Sequence, residues 1–143
     1  PLLRNQGTAG TAMSRAYRYI EVERRGDVFC VRLRFRRLEE SQVYDLANEL
    51  VALATEEGCR KLALNLGPGA PECLYSVFLA KLVTVQRVHA EQGGDMVLCG
   101  VSPAVQTVFE ACRLDKQFHF VPDFDAAVAR WGSPNGERGA PAP

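Results

Sequence analysis

The stretch Gln92-Gly-Gly-Asp-Met-Val-Leu-Cys-Gly-Val-Ser-Pro-Ala-Val-Gln-Thr-Val-Phe109 decides the fold class. Its glycines at 93 and 94 stop a preceding helix, because the left-handed backbone that closes a helix suits a residue without a β-carbon. Met96 to Gly100 is an apolar run too short for a helix and reads as a buried strand. Ser102-Pro103 then opens a new helix, with serine as N-cap and proline at the first helical position, running to about Arg113. Helix stop, strand and helix start in such close succession mark an alternating α/β chain.

Working towards the N-terminus, Ser76 to about Glu91 is predicted helical, and the loop Gly67-Pro-Gly-Ala-Pro71 precedes it. Lys61 to Leu66 is a second short apolar strand. Before that, Ser41 is placed to cap a helix reaching about Glu56, with Val43, Leu46, Leu50, Leu53 and Ala54 at helical spacing and Gly58 closing it. Tyr17 to Val22 and Val28 to Phe35 alternate around a Gly26-Asp27 turn and form a hairpin. In the second strand Val31, Leu33 and Phe35 share a buried face, and Arg32, Arg34 and Arg36 a wetter one. Towards the C-terminus, Phe118 to Val121 is a short strand, and Pro122-Asp123 opens a last helix that reaches Trp131. The order β-β-α-β-α-β-α-β-α predicts a mixed, mostly parallel sheet of about four to five strands flanked by about four helices. The domain is expected over 17–131, with a flexible extension at 1–16, in which Met13 is a candidate start, and a flexible tail at 132–143.

The 143 residues suit one domain, with 47% apolar and 24% charged residues. Seventeen basic residues balance seventeen acidic ones, which gives no support to nucleic-acid binding, where a basic excess supplies most of the affinity. No apolar run approaches the roughly 20 residues needed to cross a bilayer. The five cysteines, 30, 59, 73, 99 and 112, are odd in number and show no C-x-x-C pair. That argues against a disulfide framework and against a zinc site, and for a reduced, cytoplasmic protein.

The chemistry-bearing candidates each have a plain alternative. The loop from Gly67 to Glu72 lacks the lysine of a phosphate loop and the third glycine of a dinucleotide loop, so it reads as a connection. The arginines 24, 25, 32, 34, 36 and 37 read as a solvated or salt-bridged face more than as a phosphate patch. Glu39 and Glu40 complement a helix N-terminus, where the backbone dipole favours negative charge. His89 reads as a dipole partner near a helix end, and His119 as a strand-edge residue. Cys73 has no nominated base beside it, so no cysteine enzyme, cofactor or metal is expected.

The helix from Ser76 stands out. Leu79, Leu82, Val83 and Gln86 mark one stripe, yet Val77, Phe78, Lys81, Val85 and Val88 fall on neighbouring or opposite positions. Its first two turns are apolar nearly all round. Either a second element buries the excess, or an apolar surface at the helix start awaits a partner.

At this point the chain resembles the STAS family, the domain of anti-sigma-factor antagonists. The likeness runs from about Tyr17 to Trp131 and is carried by several pieces in order. These are Val31-Arg-Leu33, Leu38-Glu39, Leu62-Ala-Leu-Asn-Leu66, Ser76, Gly93-Gly94, Met96 to Val105, Val108-Phe109, Arg113-Leu114 and Asp125 to Val128. The resemblance implies a sheet backed by helices and a regulatory loop before the second long helix, typically Asp-Ser-Ser/Thr-Gly. The first serine of that motif is phosphorylated by a partner anti-sigma-factor kinase, and it coincides here with Ser76. Tyr75 replaces the aspartate, Val77 and Phe78 replace the second hydroxyl and the glycine, and Glu39 loosely matches the acidic end of the second strand.

The resemblance therefore implies a binding protein, not an enzyme, that docks a protein partner of the anti-sigma-factor serine-kinase type. The expected surface comprises Glu39, Glu72, Cys73, Tyr75, Val77 and Phe78, with Ser76 as candidate phosphoacceptor. The other expectation is a STAS scaffold subunit of a transporter or signalling complex that is never phosphorylated.

Overall fold

The computed structural model describes residues 16–35, 37–67 and 76–132, the side chain of Ser76 excepted. In chain order the elements are β1 (Ile20–Arg25), β2 (Val28–Leu33), α1 (Glu40–Thr55), β3 (Lys61–Asn65), α2 (Ser76–Glu91), β4 (Asp95–Cys99), α3 (Pro103–Ala111), β5 (His119–Val121) and α4 (Phe124–Gly132). The strands form one sheet in the order β1-β2-β3-β4-β5, with β1 antiparallel to β2 and every other pair parallel. That is the mixed, mostly parallel sheet expected from the sequence.

Alternation along the strands divides the core in two. Phe29 pairs with Leu62 and Leu62 with Met96, while Val31, Leu64 and Leu98 line up in the next row. These rows face α1 and α2, whose Val43, Leu46, Leu50, Leu53, Leu79, Leu82 and Val85 complete the larger core. Each such side chain withdrawn from water contributes about 1.5–3 kcal/mol. The opposite face carries the smaller Val28, Cys30, Ala63, Val97 and Cys99, covered by Phe124 and Ala127 of α4. The hairpin face expected to be wet is therefore dry at Val28 and Cys30, because the last helix crosses behind it.

The hairpin also starts later than the alternation suggested. The two-residue turn Gly26-Asp27, with Gly26 at φ 63°, pairs Arg25 with Val28, and the register runs back to Ile20 opposite Leu33. Tyr17 to Tyr19 lie before the strand and are tied elsewhere. The buried Glu49 of α1 accepts the N–H of Arg18 at 2.7 Å and of Tyr19 at 2.8 Å. The N-cap of α1 is Glu39, not Ser41; the Glu39 N–H donates to Gln42 Oε1 at 2.9 Å, half of a capping box. At α3 the Ser102 hydroxyl accepts the Val105 N–H at 3.3 Å and Pro103 follows, as expected.

Candidate functional site

The site is built where the parallel strands end. Asn65 closes β3 and accepts the Gly67 N–H through Oδ1 at 2.7 Å. The Leu66 N–H donates to Cys99 O at 3.0 Å, and the Gly100 N–H to Pro122 O at 3.1 Å. These bonds lash the ends of β3, β4 and β5 together. A β-carbon on Gly67 would meet Gly100 O at 2.7 Å, so only glycine fits where the chain leaves the sheet towards α2.

Helices α1 and α2 run parallel. Lys81 Nζ lies 4.5 Å from the Tyr44 ring centroid, and one to two turns on, His89 Nε2 donates to Leu50 O at 3.0 Å. Their N-termini therefore share one end of the molecule, and Glu39, the cap of α1, sits at the same end as the first turn of α2. Both helices turn the positive ends of their dipoles to that end.

Several expected site residues are placed differently. Phe78 is 1% exposed and fills the seam between α1 and α2 with Val43, Leu46 and Leu82, so it is a core residue and not part of an open surface. Val77 is partly buried and packs against the same core. The excess of apolar residues at the helix start has its explanation here: α2 is wedged between the sheet and α1, and two of its faces need cover. Glu72, Cys73 and Tyr75 lie outside the described residues, as do Arg36 and most of the 67–71 loop. Ser76 is the first residue of α2.

Beside the helix starts Tyr44 is 43% exposed and capped by the Lys81 ammonium. Sequence reasoning passed over Tyr44 and gave Lys81 no part in the surface. Tyr44 follows the core residue Val43 and lies off the α1 stripe, and a large aromatic off the buried stripe was the available signal.

The remaining candidates are structural. Arg24 lies over the Phe29 ring at 4.1 Å, Arg32 over Phe124 at 4.5 Å, and Arg25 bonds Asp125 at 2.8 Å. Arg25 and Arg32 thus form a salt-bridged and stacked patch on the α4 face, and Arg24 stacks on the opposite, α1 and α2 face of the sheet. His89 is fully buried, contrary to its reading as a dipole partner at a helix end; its Nδ1 has no hydrogen-bond partner among the described residues. Burial pushes its pKa below the ordinary value. Burial also holds Cys59 and Cys99 as thiols, with pKa values pushed up to about 12. Neither is a nucleophile at neutral pH. Among the described residues no cluster of three metal-ligating side chains occurs, and no helix is long and apolar enough to cross a membrane.

No protein-family model matches the chain. Solved structures match most of it. An anti-sigma-factor antagonist (STAS) domain protein from Planctomyces limnophilus aligns with a TM-score of 0.63 at 24% identity, over 77% of this chain and 96% of that one. The anti-sigma factor antagonist SpoIIAA in its unphosphorylated form gives 0.64 at 17%, over 81% and 99%. A serine-to-glutamate variant of RsbS from Moorella thermoacetica gives 0.65 at 17%, over 80% and 95%. The strand order, the parallel helix pair and these alignments agree that the chain has the fold of STAS domains.

Proposed function

We propose that the chain is a protein-binding regulator of the anti-sigma-factor-antagonist type, acting inside the cell and without catalysis. The observation that carries this reading is the pairing of two helix N-termini at one end of a STAS fold, with Tyr44 left exposed beside them. The docking surface consists of Glu39, Tyr44, Val77 and Lys81, with the 72–75 segment adjoining through Ser76. An anti-sigma-factor serine kinase is the partner class that the fold relationship favours.

Ser76 opens α2, where a phosphate gains from the positive end of the helix dipole. The same phosphate adds charge and bulk in front of any partner packed on that turn, and so switches docking off. Incubation with ATP and the kinase-fold anti-sigma factors of its own organism, followed by phosphosite mapping, tests this role. Phosphate on Ser76 supports the switch; phosphate elsewhere or none removes it.

One observation favours a permanently docked scaffold as the second reading. Phe78 locks the first turn of α2 into the core, where the family motif has a glycine. A first turn held so firmly gives a kinase little freedom to draw the serine into its site. Co-purification of a transporter or multi-subunit signalling complex with unmodified Ser76 would establish that reading.

A further inference from the structure

Two wholly buried thiols, Cys30 on β2 and Cys99 on β4, share the sheet face beneath α4 with Val28, Ala63 and Val97. We infer that α4 is a detachable cover and that Cys30 and Cys99 form a thiol-modification site, open to small disulfides such as glutathione disulfide when the helix lifts. Neither thiol belongs to the proposed docking surface, so this site stands or falls independently of the partner.

The cover is thin. α4 has nine residues and reaches the sheet through Phe124 and Ala127, with Val128 and Trp131 only partly buried. The side chains beneath it are small, so little apolar area holds it down, whereas the leucines and phenylalanines fill the larger core on the other face. Its polar tethers lie at the rim. The Asp125 side chain, 89% exposed, bonds Arg25 at 2.8 Å, and Trp131 Nε1 donates to Asp95 Oδ2 at 3.2 Å. Exposed ion pairs of this kind add little. A helix this short has no stability of its own once it leaves the sheet. Few buried contacts and solvent-facing tethers mark the elements that open below the global unfolding energy.

Closed, the site is inert, because burial raises the pKa of both thiols, that of Cys99 to about 12. With α4 away, water reaches them and restores ordinary thiols, a fraction of which ionise near neutral pH. The thiolate attacks one sulfur of the disulfide. A cysteine–glutathione S–S bond forms, the old S–S bond breaks, and the departing glutathione thiolate takes up the proton that the cysteine released. The tripeptide adduct then occupies the space under α4 and keeps the helix from reseating. Cys99 O also accepts the Leu66 N–H at 3.0 Å, so an adduct there sits where β3 turns towards α2.

Cys59 is the internal control, equally buried but part of the larger core. The full chain is incubated with glutathione disulfide and quenched over time, and each cysteine's adduct is followed by peptide mass mapping. Cys30 and Cys99 are expected to react at least about tenfold faster than Cys59, at rates nearly flat in low urea, while the Cys59 rate climbs with urea. Phe124→Ala is expected to accelerate Cys30 and Cys99 about tenfold or more. Val85→Ala, in the larger core, is expected to accelerate Cys59 about tenfold and leave the other two unchanged. Should either variant fail to fold, the urea dependence of the wild type decides. Equal rates at all three cysteines, a common urea slope, no gain from Phe124→Ala, or equal acceleration of all three by Val85→Ala would overturn the assignment.

Discussion

The Asn65 side chain sits so close to Gly100 that a β-carbon there would lie 2.9 Å from Asn65 Cγ and nearer still to Oδ1. Gly100 also has φ 68°, a left-handed backbone that favours glycine. Asn65 in turn holds the Gly67 N–H, so the exit of the chain towards α2 depends on both residues. Gly100→Ala is expected to lose about 2–4 kcal/mol in urea unfolding, from strain and overlap together. Asn65→Ala alone is expected to lose about 1 kcal/mol through the Gly67 bond. In the double variant the loss should be smaller than the sum, because removing the Asn65 side chain relieves the overlap. Additive losses would show that the contact is not what constrains Gly100.

Phe78 and Tyr44 lie at the same end of the helix pair but answer to different environments. Phe78→Ala opens a hole in the main core and is expected to destabilise by about 3–5 kcal/mol. Tyr44→Ala exchanges a half-exposed ring and is expected to change stability by no more than about 1 kcal/mol. Chemical denaturation of both distinguishes a core side chain from a surface one. A reversed order of losses would place the docking surface on the wrong residue.

His89 makes stability depend on pH in a definite direction. Its folded pKa is depressed by burial, so the unfolded chain takes up its proton first as the pH falls below about 6.5. Stability should therefore be full above that value, fall as the pH drops towards the folded pKa, and level off below it. His89→Gln retains a donor for Leu50 O without titrating, and should flatten this segment of the curve. Urea midpoints of both proteins between neutral and mildly acid pH check it, and curves of equal slope would remove His89 as the cause.

Glu49 is a carboxylate spent on backbone, not on a cation. Glu49→Leu leaves the Arg18 and Tyr19 N–H groups without acceptors and is expected to cost about 2–3 kcal/mol. Amide hydrogen exchange at Arg18 and Tyr19 should accelerate while that of β3 and β4 changes only with the global loss. Unchanged exchange at both amides would mean that the segment before β1 is anchored by other contacts.

The central strands and helix boundaries were legible because short apolar runs and punctuation coincide there. Ser76 to Glu91 and Ser102-Pro103 stand where the pattern put them, and the strand read as Lys61 to Leu66 ends one residue earlier, at Asn65. β1 was harder to read: an edge strand of Glu21, Glu23, Arg24 and Arg25 has little apolar alternation, and its register is set by the Gly26 turn. The cap at Glu39 was missed because glutamate is an uncommon cap, and Gln42 supplies the bond instead. Phe78 was ambiguous in principle. Periodicity shows how much of a helix is apolar, but not how many neighbours it packs against. Tyr44 and Lys81 meet across two helices, a relation that no spacing along the chain encodes.

Calorimetric titration of the wild type, Tyr44→Ala and Ser76→Asp against a kinase-type anti-sigma factor of the chain's own organism tests the docking surface most directly. Saturable binding to the wild type, weakened about tenfold or more by either substitution, is the expected result. Binding that ignores both changes, or no binding to any such factor, would contradict it.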